Sequence, residues 1–266
     1  MNIFYIQLLT SFLIGGFVVA GLGFFAERLP RSISGVVLSL PSTVLISYLF
    51  IGWTIGVDAL AMAIPATVAS AASPLFFAYA YLHISKRVSH KLISMVLSFA
   101  GAITVWLAIS IPPAIYKAQH MIPAILVFII LLLIAHALLT ARAPANTTIQ
   151  LRQYTAYQLL GRSIFAGFII ASSVFLAKMV NPFWGAVFSG FPAVYSSTLL
   201  IFHWYYVPDM IARVSKNLPK GSVVYVAFII ASFWTFPAFG LLLGTVAAYV
   251  ASGVTFLFVY KFSSTI

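Results

Sequence analysis

Stretches of about twenty apolar residues, each long enough to cross a bilayer as an α-helix, recur along the whole of this 266-residue chain. Only short polar loops separate them, the longest running from Ala141 to Gln153. Charged residues make up 6% of the chain, where a soluble domain carries about 25%. The chain is therefore expected to be all-α, a polytopic integral membrane protein with no soluble domain. The N-terminus lacks a basic region and its first apolar run is long enough to be a span, so no cleavable signal peptide is expected. The absence of cysteine excludes disulfides, thiol redox chemistry and thiolate metal sites.

About nine spans are expected, at 4–26, 33–55, 59–83, 92–111, 121–140, 155–178, 183–206, 221–236 and 238–260. The basic residues test this division. Arg28, Arg31, Lys86, Arg87, Lys91, Arg142, Arg152, Arg213, Lys216, Lys220 and Lys261 all fall on one side. Lys117 and Lys178 fall on the other, and Arg162 lies within the sixth span. A bias of 11 to 2 is expected to set the N-terminus outside and the C-terminus in the cytoplasm. The net charge of +11 is thus read as topology-setting, and no nucleic-acid partner is expected.

Residues 5–58 recur at 156–209, at a constant offset of 151 and with 13 identities in 54 ungapped positions. Pro41/Pro192, Trp53/Trp204 and Asp58/Asp209 carry the most weight, because these residue types are rare in apolar segments. Gly16/Gly167 and Ala20/Ala171 mark faces where small residues let helices approach closely. The sixth span follows the first by five crossings, an odd number, so the second copy must be inverted. The expected organisation is 4+1+4: a first repeat (1–113), a linking helix with its loop (114–153), and a second, inverted repeat (154–266). The match decays across the third and eighth spans, where Pro65 and Ala69 meet Lys216 and Lys220. In the ninth span Gly240, Gly244, Ala248 and Ser252 form another small-residue packing stripe.

Two prolines fall near mid-membrane. Pro41 is followed by Ser42 and Thr43, and Pro192 by Ser196, Ser197 and Thr198. An interior proline removes a backbone hydrogen bond, and the freed carbonyl must be satisfied by hydroxyls, water or protein. Paired discontinuous helices of this kind line central sites in secondary transporters; the plainer alternative is a kink. Pro41, Ser42, Thr43, Pro192 and Ser196 are the expected lining. Arg162 and His203 are the expected polar contacts, since an intramembrane arginine is costly, with snorkelling as the alternative. Tyr48, Tyr195, Tyr205, Gln7 and Gln158 would add polar lining. Asp58 and Asp209 are expected either to cap helix starts or to act as gates. No acid lies in a span centre, which disfavours carboxylate-based proton coupling. No nucleophile elbow, phosphate-binding loop or metal-ligand spacing is present, so neither an enzyme, a cofactor nor a metal is expected.

Two stretches, Ile33 to Ile46 and Trp184 to Pro192, resemble the signature of the GlpM-like family of small four-helix bacterial membrane proteins. The shared pattern is a small residue, an apolar run, then proline with small hydroxylated neighbours. The second copy departs from it, with Ala193 where the first has Ser42. The resemblance implies a duplicated, fused form of such a protein and supplies no substrate.

These features together point to a small secondary transporter or permease for a small anionic or polar solute, held near the midplane where the repeats meet. The alternatives are a passive channel of fused dual-topology design and a non-transporting lipid-handling or assembly protein. The lipid bilayer, the solute and, in a homodimer, a second copy of the chain are the expected partners.

Overall fold

The computed structural model describes residues 3–28, 41–140, 155–205, 215 and 218–263. Among these every regular element is a helix. The elements are α1 (Ile3–Arg28), α2 (Ser42–Ile55), α3 (Val57–Ser70), α4 (Ser73–Ser85), α5 (Lys91–Ile115), α6 (Met121–Thr140), α7 (Ala156–Met179), α8 (Pro182–Ser189), α9 (Ala193–Tyr205) and α10 (Leu218–Ser263). Seven stretches are long and apolar enough to cross a membrane, and α2 is a shorter apolar helix. The outer helices turn large apolar side chains away from the protein, among them Phe17 on α1, Ile122 on α6 and Leu242 on α10. A soluble monomer rarely exposes so much contiguous apolar surface; a bilayer would cover it.

α3 is the hub. From Leu60 to Ser70 every residue except Met62 is buried, and α3 packs against α2, α5, α6, α8 and α10. The small side chains of Ala61, Ala63, Ala66 and Ala69 make such enclosure possible, because they let neighbouring backbones close in. α3 and α4 belong to one kinked span. The sequence shows two prolines here without marking a break; the helix is interrupted at Ala71 and Ala72, with Pro74 in the first turn of α4. Pro74 has no N–H to give to the preceding turn.

α4 and α5 form an antiparallel hairpin, tied by Ser94 Oγ donating to the Ser85 carbonyl (3.2 Å) and by the Ser110–Ser73 hydroxyl pair (3.0 Å). α10 is itself such a hairpin, two helices broken at a single glycine. Its arms, 218–239 and 241–263, meet at Gly240, whose φ of 74° lies in the left-handed region. Thr235 Oγ1 donates to the Gly244 carbonyl (2.9 Å) and Ser252 Oγ to the Val224 carbonyl (2.9 Å), so the arms lie antiparallel. Gly244, Ala248 and Ser252 do form the packing stripe, against the preceding arm. Gly240, expected in that stripe, is instead the turn itself, a position where residues with a Cβ are strained.

α1 and α7 pack against each other along their length. A Cβ built on Gly16 would collide with the Ser163 carbonyl oxygen, and one built on Gly167 with the Phe12 carbonyl oxygen. Contact of 16 with 163 and 12 with 167 means the two helices run antiparallel.

Two stability tests follow. Gly16→Leu or Gly167→Leu forces backbone apart and is expected to cost about 1–3 kcal/mol or more. Gly21→Leu on the same α1, where a Cβ meets nothing within 4 Å, is expected to be near neutral. Thermal melting in detergent reads the difference. Gly240→Ala is expected to lower stability by about 1–2 kcal/mol in the same assay, while Gly253→Ala, in open space on α10, does not.

Candidate functional site

A backbone break lies at the centre of the expected seventh span. Asn181 caps α8, its side-chain oxygen accepting from the Phe183 and Trp184 N–H groups (3.0 and 3.3 Å). α8 then runs for 8 residues and stops at Ser189. Gly190, Phe191 and Pro192 are not α-helical, and α9 resumes at Ala193. Its first hydrogen bond joins the Ser196 N–H to the Pro192 carbonyl (2.7 Å). α2 begins the same way, with Pro41 as N-cap and the Leu45 N–H on its carbonyl (2.8 Å). Pro41 was expected at a break or kink inside the second span; α2 starts directly after it, and residues 29–40 lie outside the described residues.

Four hydroxyl-bearing side chains from four helices converge beside Gly190. The Tyr48 hydroxyl of α2 faces the hydroxyls of Thr67 on α3 and Ser189 at the end of α8. The Tyr225 hydroxyl of α10 lies against Gly190, where a built Cβ would come within 3.2 Å of it. Tyr48, Thr67 and Ser189 are fully buried. Ser189 donates to the Ala186 carbonyl (2.6 Å), but the Tyr48, Thr67 and Tyr225 oxygens meet no partner in hydrogen-bond geometry. A buried polar group without a partner costs about 1–3 kcal/mol, and such groups call for an explanation. A Cβ at 190 would also come within 3.2 Å of the Val187 carbonyl, so the space beside Gly190 is tight.

An aromatic wall adjoins the break. Phe191 packs edge-on against Trp106, Phe165 and Phe77, at centroid distances of 5.0, 5.9 and 6.1 Å. The Trp106 indole N–H and the Ser196 and Ser98 hydroxyls are also buried without a partner.

The expected polar contacts engage α9. Arg162, 3% exposed, lies about 9 Å along α7 at 1.5 Å per residue. Its Nη2 donates to the Thr198 hydroxyl (3.0 Å), which donates to the Val194 carbonyl (2.8 Å). Burial rules out the snorkelling alternative, which would leave the guanidinium at the surface. His203 pairs with a different helix: its Nδ1 is 3.0 Å from the Tyr81 hydroxyl on α4. The Lys91 ammonium sits 5.0 Å from the centre of the Trp204 ring, and Tyr195 joins Ser215 through their hydroxyls (2.6 Å).

Ser42 and Thr43 are half-buried in the first turn of α2, and Ser196 is fully buried in the first turn of α9. Asp58 is exposed in the first turn of α3, with no side-chain cap bond at Gly56. Its carboxylate suits the helix dipole there. Asp209 lies outside the described residues. Of the expected secondary lining, Tyr48 reaches the centre. Gln158 instead closes a capping box with Thr155, Gln7 bonds the Trp53 carbonyl (3.3 Å), and Tyr205 is exposed. Thr67, Ser189 and Tyr225 were not foreseen as lining. Thr67 had a signal, a hydroxyl two residues after Pro65 in an alanine- and serine-rich run; Tyr225 had none. Among the described residues no three His, Cys, Asp or Glu side chains cluster to hold a metal.

No protein-family model matches the chain, and no curated protein or solved structure matches it either.

Thr198→Val removes a hydroxyl partner from a buried guanidinium. It is expected to lower thermal stability by about 1–3 kcal/mol, whereas Thr198→Ser preserves it. Melting curves of the two variants provide the check.

Proposed function

We propose that the chain is a small secondary transporter or permease whose solute site is the hydroxyl cluster beside Gly190. The observation that carries this reading is the coincidence of a mid-span break with buried, unpartnered hydroxyls. Three of them, on α2, α3 and α10, face the break between α8 and α9. Discontinuous helices at membrane depth are tolerated only where protein or a polar cavity surrounds them, and in transporters they build the substrate site. Neutral hydroxyls both donate and accept, which suits a small polar solute. The buried Arg162 of α7, bonded to Thr198 on α9, favours an anionic one.

The reading includes an inverted 4+1+4 repeat of about nine spans, N-terminus outside and C-terminus cytoplasmic, in a bacterial inner membrane. Its support is the offset of 151, which recurs in the packing. Position 12 maps to 163 and 16 to 167, the four positions of the reciprocal glycine contacts between α1 and α7. The same offset carries the start of α2 to that of α9, and the turn after α4 to the turn at Gly240. α6 has no counterpart and carries the chain across. A GlpM-like ancestor, duplicated and fused, would account for this plan.

The halves are unequal where it matters. Arg162 and Thr198 correspond to Ser11 and Ser47, so one side alone carries the charge. α8 is clamped on α7, with Gly185 close enough that a Cβ would come within 2.6 Å of the Ser173 carbonyl. α9 buries Leu199 and Phe202 in the apolar core and adds polar contacts to α4, α5 and α7 that can break and re-form. In this mechanism α9 rocks about residues 190–192 while α8 stays fixed, opening the site towards the cytoplasm.

Uptake into proteoliposomes, screened over small anions and neutral polar solutes, tests the reading. Tyr48→Phe and Thr67→Val are expected to lower flux roughly tenfold, about the worth of one lost hydrogen bond, with no loss of melting temperature, because neither hydroxyl makes a hydrogen bond of full geometry within the protein. Absence of flux for every solute class would count against transport. Fast, uncoupled and non-saturating flux would replace it with a channel.

A further inference from the structure

The linking helix α6 builds a second feature that transport does not use. α5 and α6 are joined by residues 116–120, yet α6 packs chiefly on α3 rather than on α5. The gap between them is an open cleft of about 600 Å³, within the 300–1,000 Å³ usual for ligand sites. Its floor is Ala69, in the last turn of α3, and its walls are Ile109, Pro112, Val127 and Leu131. Tyr116, Lys117, Gln119 and His120 form its mouth.

Three independent observations bear on the mouth. Lys117 has φ 48°, the one non-glycine residue with positive φ among the described residues. That conformation ends α5 in a left-handed cap, with the Ala118 N–H donating to the Pro113 carbonyl (3.0 Å), and it places Lys117 at the turn. In the expected topology Lys117 also lies on the side that holds only one other loop cation, Lys178, so topology does not explain its charge. Finally, no acidic side chain lines the cleft, which leaves the cationic mouth uncompensated above an apolar trough.

We propose that this cleft holds an acyl chain of an anionic phospholipid, with its phosphate against Lys117 and His120. The trough takes the apolar chain and the mouth takes the charge at interface depth, where the exposed Tyr116 ring also belongs. The acyl chain would end on Ala69, one residue from the interruption that separates α3 from α4. The inference requires a membrane-embedded chain but not transport.

Native mass spectrometry of the full chain tests it, with phosphatidylglycerol and phosphatidylcholine of identical acyl chains. One phosphatidylglycerol is expected to survive collision energies that strip phosphatidylcholine. Lys117→Gln should reduce its retention about fivefold, the contribution of one basic residue near an anionic surface, and Lys117→Arg should restore it. Val127→Trp, which fills the trough from an exposed position on α6, should reduce retention without removing charge. Equal retention of both lipids, or no effect of Lys117→Gln in a normally folded protein, would reduce the cleft to ordinary boundary lipid and overturn the proposal. Equal protection by inorganic phosphate alone would also overturn it, since the trough would then play no part.

Discussion

Inside hydrocarbon a backbone carbonyl or N–H without a partner costs several kcal/mol, so a helix can break at mid-membrane only if protein encloses the break. The whole arrangement depends on this constraint. α3 is buried almost throughout because its small side chains let five neighbours close around it. That enclosure shelters two interruptions, one at Ala71–Ala72 and one at residues 190–192. Once sheltered, the break no longer needs lipid-compatible side chains, and hydroxyls from α2, α3, α8 and α10 can gather beside it.

Close approach supplies the rest of the cohesion. Lipid is as apolar as leucine, so helices in a membrane associate through packing and interhelical hydrogen bonds rather than hydrophobic expulsion. Gly16 and Gly167 bring α1 and α7 backbone to backbone, Gly185 clamps α8 on α7, and Gly244 closes the α10 hairpin. α9 buries Leu199 and Phe202 in the core and, unlike these, adds an arginine–threonine bond, a tyrosine–histidine bond and a lysine over an indole ring. Contacts of that kind can exchange with water or solute. Rigid glycine-packed elements and one polar-latched half-helix are the division of labour expected of a scaffold and a moving part.

Much of the frame was legible from apolar run length and charge. The boundaries of α6 fall where apolarity places them, and those of α7 within a residue. Pro192 marked the break before α9 because proline cannot continue the hydrogen-bond ladder. Other features were not legible. Pro74 gave no sign that the helix would lapse at Ala71, since Pro65, equally interior, is accommodated inside α3. Gly240 read as a packing glycine because spacing cannot distinguish a contact from a turn. Tyr225 looked like any interfacial tyrosine; its place beside Gly190 depends on how α10 folds back, which no local pattern encodes. Gln158 and Tyr205 were expected at the centre because polarity in an apolar span draws attention, yet local capping and surface exposure account for them.

The central claim is that the space beside the break is reached from water. The chain contains no cysteine, so a single Ser196→Cys substitution, at a fully buried and unpartnered hydroxyl, gives a reporter with no background. Labelling of this variant by a small membrane-impermeant thiol reagent, in sealed vesicles of known orientation, measures access directly. The account predicts labelling of the folded protein, slowed by a transported solute. Labelling only after denaturation would mean that the hydroxyls are sealed in a dry core, and would contradict it.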